Sequence, residues 1–185
     1  MKFIKFTLNS LLKYTAVVCF IFSLASFAEV GYIQIKANIA QKLLAHAWIE
    51  TKEKAKTHQE GLVKPWPWAD FFPVAQISIP KLNLEQIVLN TDSGQALAFG
   101  PGVNGISKTN KNIMVISAHR DSHFKSLEIL EIEDIITVTT SNFKPVNYRV
   151  NSLAIIDINE QAVFIDTDTN ASFDNKELLL ITCYP

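Results

Sequence analysis

The sequence predicts a mainly β domain, many short strands forming a β-barrel or sandwich, behind a membrane-spanning helix and a helical stalk. Three observations predict it. A 22-residue apolar stretch lies near the amino terminus, a three-and-four-residue apolar repeat follows it, and from Asp70 short aliphatic and β-branched runs alternate with turn signals. The 185 residues hold one modest domain plus accessories, and 48% hydrophobic with 19% charged residues is a globular balance. With 17 basic and 18 acidic residues, and Arg120 and Arg149 the only arginines, no basic block suits nucleic acid.

The apolar stretch is Tyr14–Ile35, whose single charge is Glu29. As a helix it measures about 33 Å, enough for a hydrocarbon core of roughly 30 Å. Lys2, Lys5 and Lys13 precede it, which favours a cytoplasmic amino terminus (residues 1–13) and an extracytoplasmic remainder. Ser26-Phe27-Ala28 also fits a signal-peptide cleavage site, but apolar residues resume at Val30 and favour an uncleaved anchor. On that topology Cys19 lies in the bilayer and Cys183 outside it, so the two cannot pair, and Cys183 is a free thiol in an oxidising compartment.

Residues 36–64 read as stalk and linker. Ile39, Leu43, Leu44, Ala47 and Trp48 keep a helical repeat, charged residues 50–56 make a solvated end, and Gly61 is the expected stop. His46 and His58 fall on this stalk. Pro65-Trp66-Pro67-Trp68 breaks the helix and is expected to lie extended, its tryptophans packed. Residues 65–185 form the β domain. Its expected strands are Val74–Ile79, Gln86–Leu89, Ile113–Ser117, Ile135–Thr140, Val146–Ile158 and Leu178–Thr182, with short helices from Asp92 or Ser93 to Phe99 and from Ser122 to Leu130. Gly100-Pro101-Gly102 and Asn104-Gly105 mark turns.

Two residues at strand ends suit chemistry. Cys183 closes the apolar run Leu178–Thr182, and His119 opens the loop after Asn112–Ala118. Each alone fits a structural role; together they suit a thiolate nucleophile with a proton donor. His119 and His123 also share the spacing of two metal ligands on a helix, with Asp121 as a third. A strand ending near His119 opposes that zinc reading, and no metal or other cofactor is expected.

Several segments resemble one family. Leu180-Ile181-Thr182-Cys183 is similar to the Thr-Leu-x-Thr-Cys motif of the sortases, with Leu179 at the first threonine. Ser117-Ala118-His119-Arg120-Asp121-Ser122-His123-Phe124, Pro65–Asp70 and Leu97–Gly102 resemble segments of the Gram-negative, class GN sortases. The resemblance implies a membrane-anchored cysteine transpeptidase on a closed barrel of about eight strands. Its substrate is a protein with a sorting signal similar to Leu-Pro-x-Thr-Gly, and its acceptor is an amine. Carried over by position, Cys183 attacks the threonyl carbonyl, His119 moves the proton, and Thr182 helps line the site. The family also places an arginine on the strand after the cysteine. Residues 1–185 contain no counterpart, so the reading expects a truncated and impaired sortase, with a pseudoenzyme or a chain completed by a partner's strand as other accounts. The rival readings are a non-catalytic peptide-binding module of the extracytoplasmic space and, last, a zinc-dependent hydrolase using His119, Asp121 and His123.

Overall fold

The computed structural model describes residues 2–57, 61–109, 113–141, 144–157 and 177–184, with side chains from residue 11 onward except at 25, 29, 30, 33 and 34. The chain divides into two compact units, Met1–Ala40 and Gln41–Pro185. One helix, α1 (Lys2–Lys56), runs through the first and into the second.

Within the first unit, Leu11–Ala28 is long and apolar enough to cross a membrane. Its apolar side chains do not keep to one stripe: Leu12, Val17, Val18, Phe20, Phe22 and Phe27 are spread around the helix and all are exposed. A soluble helix hides such residues along one side, whereas lipid rewards apolarity all round. The hydroxyls there find partners on their own helix: Thr15 donates to the Leu12 carbonyl at 3.0 Å, Ser23 to Cys19 at 2.9 Å and Ser26 to Phe22 at 3.1 Å.

The last four turns of α1 belong to the second unit. Leu44, Ala47, Trp48 and Thr51 are buried, a spacing that puts them on one face. Leu44 packs with Phe71, Leu89 and Ala96, and Trp48 Nε1 donates to Gln76 Oε1 at 3.2 Å. The Thr51 hydroxyl donates to the Ala47 carbonyl at 2.8 Å and accepts from the Val63 amide at 3.2 Å, so the one buried polar side chain of this face is satisfied. Leu43, included in the expected apolar face, points outward. The helix stops at Lys56, ahead of Gly61; His58 lies outside the described residues.

Residues 65–68 are bent rather than extended, because the Ala69 amide turns back to the Trp66 carbonyl at 3.0 Å. Trp66 packs edge-on against Phe71 (5.5 Å) and Phe99 (5.2 Å), as expected of a core tryptophan. Trp68 does not pack: it is 78% exposed, pointed away by the same turn.

Among the described residues, seven strands form one sheet in the order β6-β5-β1-β2-β3-β4-β7, curled into a nearly closed barrel. They are β1 (Pro73–Ile79), β2 (Leu84–Leu89), β3 (Gly102–Val103), β4 (Ile113–Ser117), β5 (Ile135–Thr140), β6 (Pro145–Arg149) and β7 (Glu177–Ile181). The mainly β class and the barrel expected from the sequence are therefore present. β1 sits between antiparallel β2 and β5, and its alternation buries Pro73, Ala75, Ile77 and Ile79. Val88, Ile116, Val138 and Phe124 complete the interior around them.

Three expectations need correction. The strand expected over 146–158 ends at Arg149. Val150 turns inward to the core, where its amide and carbonyl bond Asp134 and Glu133, and among the described residues no strand pairs with 151–157, so β-propensity alone does not extend β6. The helix expected over 122–130 is only a short 3-10 stretch, Lys125–Ile129, because Phe124 buries itself and its amide closes a turn onto the His119 carbonyl. Finally, β3 occupies the end of what read as a pure turn. The other short helix, α2 (Gly94–Leu97), starts where expected, capped by the Ser93 hydroxyl, and ends at Leu97, short of Phe99.

Candidate active site

β4 and β7 run parallel and in register, from Ile113 opposite Glu177 to Ser117 opposite Ile181. Parallel strands need a long crossover, so this pairing joins segments 64 residues apart. The register persists beyond the strands. The Ala118 amide donates to the Ile181 carbonyl at 3.1 Å, and the Thr182 hydroxyl donates to the Ala118 carbonyl at 2.9 Å. One residue further along each chain come His119 and Cys183, both exposed. Neighbouring strands lie about 4.8 Å apart, so the two chains leave the sheet side by side with a thiol on one and an imidazole on the other. Cys183 is not sealed beneath the leucines that precede it.

Thr182, expected to line the site, is half-buried and ties the two strand exits together. The loop that carries His119 is held from below. Phe124 is buried, and Ser117 Oγ lies 3.5 Å from Asp92 Oδ2, which also receives Asn104 Nδ2 at 2.5 Å. His123 reaches β2, with Nδ1 3.2 Å from Gln86 Oε1. Burial, and secondarily the nearby His119, hold its imidazole below the usual histidine pKa, while a backbone bond at Ala98 pulls the other way. Its open side borders a depression of about 390 Å³ between residues 82–86 and the 3-10 stretch. Among the described residues, no group of three His, Cys, Asp or Glu side chains is arranged to hold a metal ion. His119, Asp121 and His123 do not form such a group: the loop's turn at Phe124 replaces the helix that would have aligned them.

Sequence reading gave no role to Arg120 or Tyr184. The Arg120 guanidinium reaches Glu128 Oε2 at 3.4 Å and lies over the Tyr184 ring, 6.0 Å from its centroid. The signal available in sequence was position: each residue directly follows one of the two reactive candidates. Arg149 instead meets Glu133 at 3.1 Å on the exposed surface of β6.

A thiol and an imidazole that follow paired strand ends are residue types suited to forming a covalent acyl adduct and moving the accompanying proton. The sortase domain family matches residues 77–185, more than half of the chain, and the chain belongs to the sortases, a family of cysteine transpeptidases. Among solved structures it is similar to a Clostridium perfringens sortase D5 transpeptidase, with 18% identity over 62% of this chain and 73% of that one, at a TM-score of 0.48. It is also similar to sortase A from Corynebacterium diphtheriae (18% identity, 82% and 86% of the two chains, TM-score 0.48). A third is Clostridium perfringens sortase C with the C-terminal cell wall sorting motif (17%, 85% and 90%, TM-score 0.47). Comparison with curated protein sequences finds no match.

Proposed function

We propose that this sortase is a class GN enzyme, anchored in the inner membrane by its amino-terminal helix, with its barrel on the extracytoplasmic side. It acts on a protein bearing a Leu-Pro-x-Thr-Gly-like sorting signal. Cys183 attacks the threonyl carbonyl as its thiolate. The Thr–Gly amide bond breaks, His119 gives its proton to the departing glycine amine, and the acyl group stays on sulfur as a thioester. An acceptor amine then attacks the thioester carbonyl and gives up its proton to His119, and the thiolate leaves. Thr182 holds the two strand exits at the spacing this transfer needs. A thioester suits the task because it holds the acyl group covalently yet stays reactive toward an incoming amine.

The observation that supports the reading is the in-register β4–β7 pair, whose inter-strand bonds end at Ala118 and Thr182, the residues directly before the exposed His119 and Cys183. The class GN assignment rests on the segments Pro65–Asp70, Leu97–Gly102 and Ser117–Phe124, and the orientation on Lys2, Lys5 and Lys13.

The test uses the full chain in detergent or nanodiscs, a fluorogenic sorting peptide and an amine. Cys183→Ala abolishes both turnover and labelling by a thiol-reactive sorting-peptide analogue. His119→Ala lowers turnover by about 10²- to 10⁴-fold while leaving the melting temperature unchanged. Labelling that survives Cys183→Ala overturns the proposal, and so does peptide affinity without any labelling of Cys183 in the unmodified chain, which would mark a binding module.

A further inference from the structure

We infer that Arg120 is a positioning residue for the transfer, acting through a cation–π contact with Tyr184; this rests on the reading of Cys183 as nucleophile and His119 as its proton partner. β4 and β7 are held by a ladder that finishes with the Ala118 amide on the Ile181 carbonyl and the Thr182 hydroxyl on the Ala118 carbonyl. Residues 119–121 and 182–184 lie beyond both strands. Two chains leaving a sheet diverge unless something ties them, and the two reactive groups sit in that stretch. Proton transfer between them requires hydrogen-bond reach, directly or through one water, and a displacement of about 1 Å in such a pair can cost about a hundredfold in rate.

Arg120 and Tyr184 supply the outer tie. Each follows a reactive residue by one position, just as Ala118 and Thr182 each precede one. The thiol and the imidazole are therefore bracketed. On the inner side Thr182 bonds Ala118, and on the outer side the Arg120 guanidinium lies over the Tyr184 ring, 6.0 Å from its centroid. The guanidinium is held from a second side: Nη2 donates to Glu128 Oε2 at 3.4 Å, which ties the arginine to the 3-10 stretch. The contrast with the other arginine is informative. Both are ion-paired, yet the Arg149 side chain is 66% exposed and that of Arg120 only 33%. A flat guanidinium suits this place, since it can meet a carboxylate at its edge and a ring on its face; a lysine ammonium cannot do both.

The expected behaviour follows from a tie that needs both ends. Arg120→Ala and Tyr184→Leu each lower kcat for the sorting peptide by about tenfold, part of the loss that misplacement brings, with KM changed less than twofold. The double variant is no worse than either single one, because cutting one tie twice costs nothing more. Tyr184→Phe restores most of the rate lost in Tyr184→Leu, since the ring and not the hydroxyl meets the cation. Arg120→Lys recovers only part. A merely structural role for Tyr184 predicts parallel losses in melting temperature and no special sensitivity to Arg120, and additive losses in the double variant overturn the inference. So does an Arg120→Ala effect confined to KM, which would make the arginine a substrate contact. Cys183→Ala, assayed alongside, separates the two levels. If turnover does not depend on Cys183, the underlying reading fails. If it does, and both single variants turn over normally, the inference alone fails.

Discussion

β1 and β7 are both short apolar strands, Pro73–Ile79 and Glu177–Ile181, but they are used in opposite ways. β1 has a partner on each side and buries every second residue completely. Among the described residues β7 has β4 alone as its neighbour; its three leucines are half-buried and Ile181 is exposed. The first arrangement maximises area removed from water and fixes the register by its hydrophobic face. The second gives up burial, and its chain runs on past the last inter-strand bond to Cys183, which is exposed. On the proposed role of Cys183, stability and chemistry rest on different strands, and substitutions should separate them.

The largest separation is expected between Ile77 and Leu180. Ile77 is fully buried in the middle of β1, and Ile77→Ala leaves a cavity among Ile116, Val138 and their neighbours, at a cost of about 4 kcal/mol. Leu180 only leans against the same cluster, so Leu180→Ala costs about half as much. Urea unfolding of the two variants checks this. Per folded molecule, the order reverses for turnover: Leu180→Ala loosens the strand that carries Cys183 and slows the enzyme more than Ile77→Ala does. Equal stability losses would mean that β7 is covered as well as β1.

A smaller effect isolates the inner tie between the strand exits. Thr182→Val keeps the shape of the side chain but leaves the Ala118 carbonyl without its hydroxyl donor, a loss of about 1 kcal/mol. Thr182→Ser keeps the bond and should stay close to the parent in both urea midpoint and turnover. If the serine and valine variants behave alike, the methyl group matters and the hydrogen bond does not.

This contrast also explains what could be read in the chain beforehand. β1, β4 and β5 are legible because their apolar residues alternate or run between turn signals, and both candidate site residues stand out as strand-end residues within motif-like segments. What was not legible depended on distant partners. Val146–Ile158 has the composition of a long strand, yet strand formation stops where pairing stops, and Val150 is drawn to a turn at Glu133 and Asp134 that no local pattern announces. β3 is two residues long and exists because Gly102 pairs with Leu89 on one side and Ser117 on the other; a Cβ there would collide with the Thr91 carbonyl, so the glycine read as a turn signal serves close packing. Trp66 and Trp68 are indistinguishable in composition, and a single bond from Ala69 to Trp66 sends one inward and the other out. The Arg120–Tyr184 contact spans 64 positions and involves two residue types that are ordinary at surfaces, so only the β4–β7 register reveals it.

The finest test concerns the side of the site that faces the barrel. His123 is held below the usual histidine pKa, first by burial and then by His119, so at neutral pH it is uncharged and can share a hydrogen bond with Gln86. The depression it borders adds Glu85, Lys125 and Glu128 to its surroundings. A depressed folded-state value means that the unfolded chain takes up this proton first. The stability that neutral His123 contributes is therefore complete above the unfolded value of about 6.5 and is lost as pH falls through the lower folded value. His123→Gln cannot take up a proton and retains an amide to face Gln86. The melting temperatures of the two proteins should run parallel from pH 8 to 7 and converge or cross below pH 6.5, the unmodified chain losing about 1–2 °C more than the variant. A constant difference across the whole range would mean that His123 titrates alike in the folded and unfolded chain, and that the loop bearing His119 is fastened by Phe124 and Asp92 without it.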